Sequence, residues 1–350
     1  MIDKNFCMSQ YLAFRFVFDE NKDFFPETKH KIFKMADLPW FEKVKNADEM
    51  KAVIDRVISE KGCTAENSAI LLSGGMDSAT IAASMPKGAK AYTFKSMAEG
   101  ALVEVDKARE YADAYGLDLH IVEITWDDFE KYAPVLMKSK GAPIHSIEVQ
   151  LYKAALQAKS DGVSKIVVGE SADLNFGGMD KMLAKDWTFD EWVKRYNFCD
   201  PEKVLKHPVD ITSVYEPYRV GKNGVNFVDF IQRVFGLESS NSYAHVIDMF
   251  GFDYVDPYAY MGMAEPLDLQ RVRSGDSKYL IRDLFRKCYP DIPVPNKIPM
   301  PRAVAIWLKD WKGPIRDEFL PDCAAGLTGD QKWQLWCLEQ FLNMHDRGEL

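Results

Sequence analysis

Two short stretches hold the residues whose types and spacing could do chemistry. Residues 73–78 read Ser-Gly-Gly-Met-Asp-Ser, directly after the apolar run Ala69-Ile70-Leu71-Leu72 and ahead of a small-residue helical pattern. An apolar strand that breaks through glycines into a helix lets backbone N–H groups face an anion. Ser73 and Ser78 add hydroxyl donors and Asp77 adds a carboxylate. Phosphate oxygens are the ligand such a turn suits. No Gly-Lys-Ser/Thr follows, so it is not the Walker loop. The second stretch, residues 165–180, reads KIVVGESADLNFGGMD and sets Glu170 and Asp173 just past an apolar strand ending at Gly169. Carboxylates beside a polyphosphate repel it unless a cation stands between them, and Mg²⁺ bridging carboxylate and phosphate oxygens resolves this. Asp77 and Asp173 are therefore expected to direct a metal. Glu170 is expected to act as a base or to orient an incoming amine.

The surrounding elements must bring these stretches together. From 69 to 168 strand and helix patterns alternate, with strands expected at 69–72, 91–94, 119–124 and 166–168. Helices are expected at 78–84, 103–115, 127–138 and 147–161. This rhythm implies an α/β fold with a doubly wound, mostly parallel sheet and helices on both faces. Ligands in such sheets lie beyond the carboxyl ends of the strands, so Ser73 and Gly169 are expected to face one pocket. Residues 1–65 read as an extension of a short strand pair and a helix packed on the core. Its strand is drawn from the alternating aromatics of 11–18, and its helix runs over 46–61 with Met50, Val53, Ile54, Val57 and Ile58 on one face. The main domain is expected over 66–345, becoming helical from about 181 and closing with an amphipathic helix over 328–345.

Bulk properties narrow the function class. The 350 residues are 47% hydrophobic and 28% charged, the balance of an ordinary globular enzyme. A formal charge of −9 argues against nucleic acid and against an anionic membrane as partners. The six cysteines are scattered without a CxxC pair, which points to a reducing compartment and a cytoplasmic location. No signal peptide is visible, and no apolar run reaches the roughly 20 residues that span a bilayer.

The SGGMDS turn resembles the SGGxDS pyrophosphate loop of the ATP-pyrophosphatase superfamily, a HUP-type fold whose members split ATP between its α and β phosphates. Residues 169–179 resemble the GExADExFxGY loop of asparagine synthetases and their β-lactam-forming relatives. Gly169, Glu170, Ala172, Asp173, Phe176 and Gly178 match that loop, while Leu174 replaces a second acid and Met179 a tyrosine. Residues 278–282 (KYLIR) resemble the KxxLR helix of that family, and 290–301 its proline-braced lysine segment. There Lys297 stands at the lysine and Pro295 where an arginine is usual. Residues 141–146 (GAPIHS) resemble the stretch before the family's central helix, which would set His145 at the pocket's border.

This resemblance covers roughly residues 65–345 and implies ATP and Mg²⁺ as cofactors. It places Leu71, Ser73, Gly74, Gly75, Asp77, Ser78, Phe94, Gly169 and Lys278 around the nucleotide, Asp77 and Asp173 on the metal, and Glu170 and Lys297 in catalysis. The implied activity is adenylation of a small-molecule carboxylate followed by transfer of ammonia or an amine. The segment ahead of the loop is too short for the family's glutaminase domain, so nitrogen would come free, from a separate glutaminase subunit, or on a substrate amine. Sulfur transfer, nucleobase amination, NAD synthesis and a degenerate nucleotide-binding protein stay open as alternatives.

Overall fold

The computed structural model describes residues 1–296 and 302–350. Its first half runs α1 (Lys4–Phe14), β1 (Glu42–Val44), α2 (Ala47–Glu60), β2 (Ser68–Leu71), α3 (Met76–Ala82), β3 (Lys90–Ser96), α4 (Val105–Tyr115), β4 (Asp118–Ile124), α5 (Trp126–Lys140), α6 (Ile147–Ser160), β5 (Lys165–Val167) and α7 (Ala172–Asn175). After short helical turns and a small hairpin come α8 (Gly236–Phe250), β6 (Asp253–Val255), β7 (Met261–Met263), α9 (Tyr279–Cys288) and α10 (Gly329–Asp346). No helix among the described residues is long and apolar enough to cross a membrane.

Five strands form one parallel sheet in the order β4-β3-β2-β5-β6. The central strands β2 and β5 are covered on both faces and read as short apolar runs, whereas the edge strand β4 leaves Asp118, Ile121 and Glu123 exposed. Ala69, Ile166 and Val168 point into the apolar layer beneath α1, α5, α6 and α10. Ile70, Leu72 and Val167 point into the opposite layer under α2, α3, α4 and α9. From β2 the chain builds outward to β3 and β4, then returns to place β5 on the other flank of β2. That reversal opens a crevice between the tips of β2 and β5. The pairing of Ile70 with Val167 sets the two following turns side by side.

Two features differ from expectation at the N-terminus. Residues 11–14 end the helix α1, capped by the Asp3 side chain on the Phe6 N–H, and are not a strand. Cys7 to Phe14 are all buried, because α1 lies between the sheet's apolar layer and a separate aromatic cluster around Trp192 and Phe230. Where every side of a helix is covered, alternating aromatics no longer report a two-sided strand. Nor is there a strand pair within 1–65 among the described residues. β1 instead runs parallel to β7, Glu42 opposite Met261, tying the extension to the far end of the fold.

Candidate functional site

The first turn is braced on itself. Ser73 donates its N–H to Ser78 Oγ at 3.0 Å, and Gly75 donates to Ser73 Oγ at 3.1 Å. The two hydroxyls lie 3.1 Å apart, so Ser73 and Ser78 shape the loop while facing the cleft. Behind it, Thr80 meets the Tyr258 hydroxyl at 2.5 Å, and the Tyr289 hydroxyl donates to the Ala79 carbonyl at 2.8 Å. These contacts fix α3, and with it Asp77, against the C-terminal half of the chain.

The second turn leaves β5 through Gly169 and enters the four-residue helix α7, which carries Asp173. Gly178 allows the close approach that follows: a Cβ there would overlap Asp173 Oδ1 and Lys278 Cε. Lys278 starts α9 in the left-handed region at φ 54°, an uncommon conformation for a lysine. This geometry drives its ammonium into the cleft, 2.5 Å from both Asp77 Oδ2 and Asp173 Oδ1. Burial opposes the charge on Lys278, but the two carboxylates outweigh it and raise its pKa. The cation that the paired carboxylates require is therefore partly built in.

Both turns line one cleft of about 240 Å³. One wall carries Leu71, Leu72, Tyr92, Thr93 and Phe94, the apolar side expected for the base. Tyr92 is pinned there through its hydroxyl, 2.7 Å from Asp161. Opposite stand Ser73, Gly75, Asp77, Ser78, Gly169, Asp173 and Lys278. Gly74 sits behind this surface, where an added Cβ would press on Glu104 Cβ at 3.0 Å. Pro295 and Asn296 close the rim, and Lys297 lies outside the described residues. His145 is not among the described lining residues. It faces Glu238 and Arg302 instead.

Glu170 lies half-buried in the lining of the same cleft. Desolvation raises its carboxyl to about 8; the Ser239 hydroxyl pulls the other way, and Asp256, Asp173 and Glu238 add like-charge repulsion. Asp256 anchors the turn from below, accepting the Ser171 N–H at 2.8 Å and the Tyr258 N–H at 3.1 Å. Sequence reasoning missed Glu104, Ser239, Tyr243 and Asp256. Ser239 and Tyr243 are one helical turn apart on α8, a spacing that would have exposed them had that helix been recognised.

No group of three His, Cys, Asp or Glu side chains among the described residues could hold a metal ion. Asp77 and Asp173 converge all the same, and Mg²⁺ commonly takes one or two protein carboxylates, with phosphate oxygens and water completing its shell. The residues fit a magnesium ion that arrives on a polyphosphate, not a resident metal cage.

Residues 51–224 match the family model for asparagine synthase. The match includes both turns and ends before Ser239, Tyr243, Lys278 and Lys297. No curated protein matches the chain in sequence. Among solved structures, it is similar to an NH3-dependent NAD synthetase from Campylobacter jejuni subsp. jejuni NCTC 11168 in complex with nitrate ion, at 13% identity over 37% of this chain and 58% of that one, with a TM-score of 0.26. It is also similar to an NMN synthetase from Francisella tularensis, at 10% identity over 72% of this chain and 97% of that one, TM-score 0.26. A third is a U34-tRNA thiolase from Methanococcus maripaludis with its 4Fe-4S cluster, at 13% identity over 72% and 82%, TM-score 0.28. The chain thus spans little more than half the length of the Campylobacter protein.

Proposed function

We propose, from the premise that residues 51–224 form an asparagine synthase-like domain, that this chain is an ATP-dependent, AMP-forming ligase joining a carboxylate to ammonia or an amine. What supports this reading most is the convergence of Asp77, Asp173, Lys278 and Glu170 on one cleft with an apolar wall beside it. The base stacks along Leu71 and Phe94, and the pyrophosphate half of ATP lies in the Ser73–Ser78 turn. Lys278 holds Asp77 and Asp173 at a fixed separation, so their charge does not repel the phosphates. Magnesium, when bound through those two carboxylates, neutralises phosphate oxygens as negative charge grows on the leaving group.

The acceptor carboxylate attacks the α-phosphorus, forming a P–O bond as the bond to pyrophosphate breaks. Lys297 is assigned by resemblance to stabilise the departing charge, a role commonly worth about 3–4 kcal/mol for one well-placed donor. The amine nitrogen then attacks the acyl carbon and AMP leaves. Glu170 accepts the proton that nitrogen releases, which its raised carboxyl suits near neutral pH. Nitrogen is supplied as free ammonia, by a separate glutaminase subunit, or on a substrate amine. The six cysteines are free thiols, in keeping with a reducing, cytoplasmic setting.

Exchange of labelled pyrophosphate into ATP, in the presence of Mg²⁺ and a panel of acids, tests the first half-reaction. Exchange should depend on the acid and vanish in Asp77→Asn. Exchange that survives the substitution, or formation of ADP in place of AMP, contradicts the reading.

A further inference from the structure

One amide of the first turn faces a carboxylate. Ser73 and Gly75 donate their N–H groups to hydroxyls within the turn, and α4 packs over the residue between them. Tyr111 of α4 donates its hydroxyl to the Gly74 carbonyl at 3.4 Å. Glu104, just ahead of α4 and two helical turns before Tyr111, lies against the same glycine. A Cβ on Gly74 would stand 3.0 Å from Glu104 Cβ and 3.4 Å from its carboxyl carbon. Among the described residues, Gly74 is the one member of 73–78 that does not line the cleft, and Glu104 lines it instead.

Little else holds that carboxyl in place. Glu104 is 8% exposed, does not cap its own helix and makes no ion pair among the described residues. Desolvation raises its pKa, while the Gly74 N–H and the charge of Lys107 draw it down. Burying a carboxylate without a paired cation is costly, so the backbone N–H beside it is what makes the position tolerable. The loop leading into Glu104 is loosely tied. The Met97 N–H meets the Ile124 carbonyl at 2.9 Å, and the next backbone bond runs within the loop, from Ala101 to Ala98 at 3.1 Å. Leu102 and Val103 are exposed. With so few buried contacts, the loop offers little resistance to a shift of Glu104 away from the turn.

We propose that Glu104 is a positioning residue whose carboxylate competes, as an internal anion, with pyrophosphate for the Gly74 N–H and so speeds release of that product. This rests on the ligase reading above, in which the Ser73–Ser78 turn takes the pyrophosphate half of ATP. Two anions crowded onto one N–H repel each other, so a phosphate that enters the turn must displace the carboxyl. Pyrophosphate carries more charge and more oxygens, and it holds the turn while bound. Glu104 returns to Gly74 as pyrophosphate leaves. AMP, with its one phosphate between Asp173 and Glu170, reaches neither Gly74 nor Glu104.

The test is calorimetry of wild-type protein and Glu104→Gln with pyrophosphate and Mg²⁺, and separately with AMP. The amide keeps the size of the side chain and removes its charge. Glu104→Gln should bind pyrophosphate about tenfold more tightly, the scale of one hydrogen bond to a charged group, with AMP affinity at the wild-type value. A glutamate that merely holds the loop in shape predicts the reverse, weaker pyrophosphate binding in the variant. Equal or weaker pyrophosphate affinity overturns the assignment and leaves the ligase reading intact, and an equal gain for AMP does the same. A wild-type crystal structure with Mg²⁺ and pyrophosphate needs no variant. The Glu104 carboxyl should stand clear of Gly74 there, and pyrophosphate seated in the turn with Glu104 still against that glycine overturns the assignment. Pyrophosphate that binds neither protein removes the ligase reading itself, and this assignment with it.

Discussion

Replacing Glu170 by glutamine removes a charge but keeps the shape of the side chain, so it isolates proton transfer from packing. With the carboxyl raised to about 8 by desolvation, roughly a tenth of it is ionised at pH 7. A step that needs the carboxylate as a base should therefore run about tenfold below its plateau at pH 7 and rise through pH 8. Hydroxylamine suits the measurement because it is already a neutral nucleophile across this range. Single-turnover hydroxamate formation should show one inflection near pH 8 in the wild type and a lower, flat profile in Glu170→Gln. Pyrophosphate exchange, which precedes nitrogen attack, should not share that inflection. Stability supplies a second, independent readout. A carboxyl whose folded pKa lies above its ordinary 4.5 contributes stability below about pH 4.5 and loses it as pH rises through about 8. Glu170→Gln should accordingly gain on the wild type in urea unfolding at pH 8 relative to pH 5. An inflection that persists in the glutamine variant, or is missing from the wild type, refutes Glu170 as the base.

Lys278→Met strips the ammonium from between two carboxylates. Losing one member of a buried pair costs about 3–5 kcal/mol, and the 24% and 33% exposure of Asp77 and Asp173 brings the expectation to the lower end of that range. Urea denaturation at neutral pH measures this, and an unchanged midpoint would show that the bridge holds nothing together. Gly178→Ala should weaken ATP binding and lower stability together, because the new methyl displaces both Asp173 and Lys278. Calorimetry showing wild-type ATP affinity in that variant would contradict the contact. Raising ionic strength should weaken the exposed Lys287–Asp48 pair while leaving the Lys140–Glu148 bridge, buried on both sides, in place. Glu148→Gln should therefore remain destabilising in high salt, as thermal unfolding would show.

The parallel core was legible because its central strands are covered on both faces and appear as short apolar runs, Ile70 facing one layer and Ala69 the other. The two turns were legible because each carries its chemistry within ten residues. Lys278 was harder. Its sequence neighbours describe only a helix start, whereas its role depends on Asp77, 201 positions away, and on a left-handed backbone that no local pattern announces. The helix α8 escaped because its faces answer to different surroundings. Val246 and Ile247 meet the apolar layer, while Glu238 meets Arg15 and His245 lies 2.6 Å from Glu148 Oε2. A helix with polar side chains turned inward has no clean apolar stripe to detect. α1 was misread for a different reason, being covered on nearly every side from Phe6 to Phe14.

A crystal structure with Mg²⁺ and an ATP analogue whose α–β bridge resists cleavage asks the decisive question. The β and γ phosphates should occupy the Ser73–Ser78 turn, with the α phosphate between Asp173 and Glu170 and the base along Leu71 and Phe94. An analogue bound elsewhere, or one reaching the first turn while its α phosphate points away from Glu170, would contradict a single triphosphate shared by both strand tips.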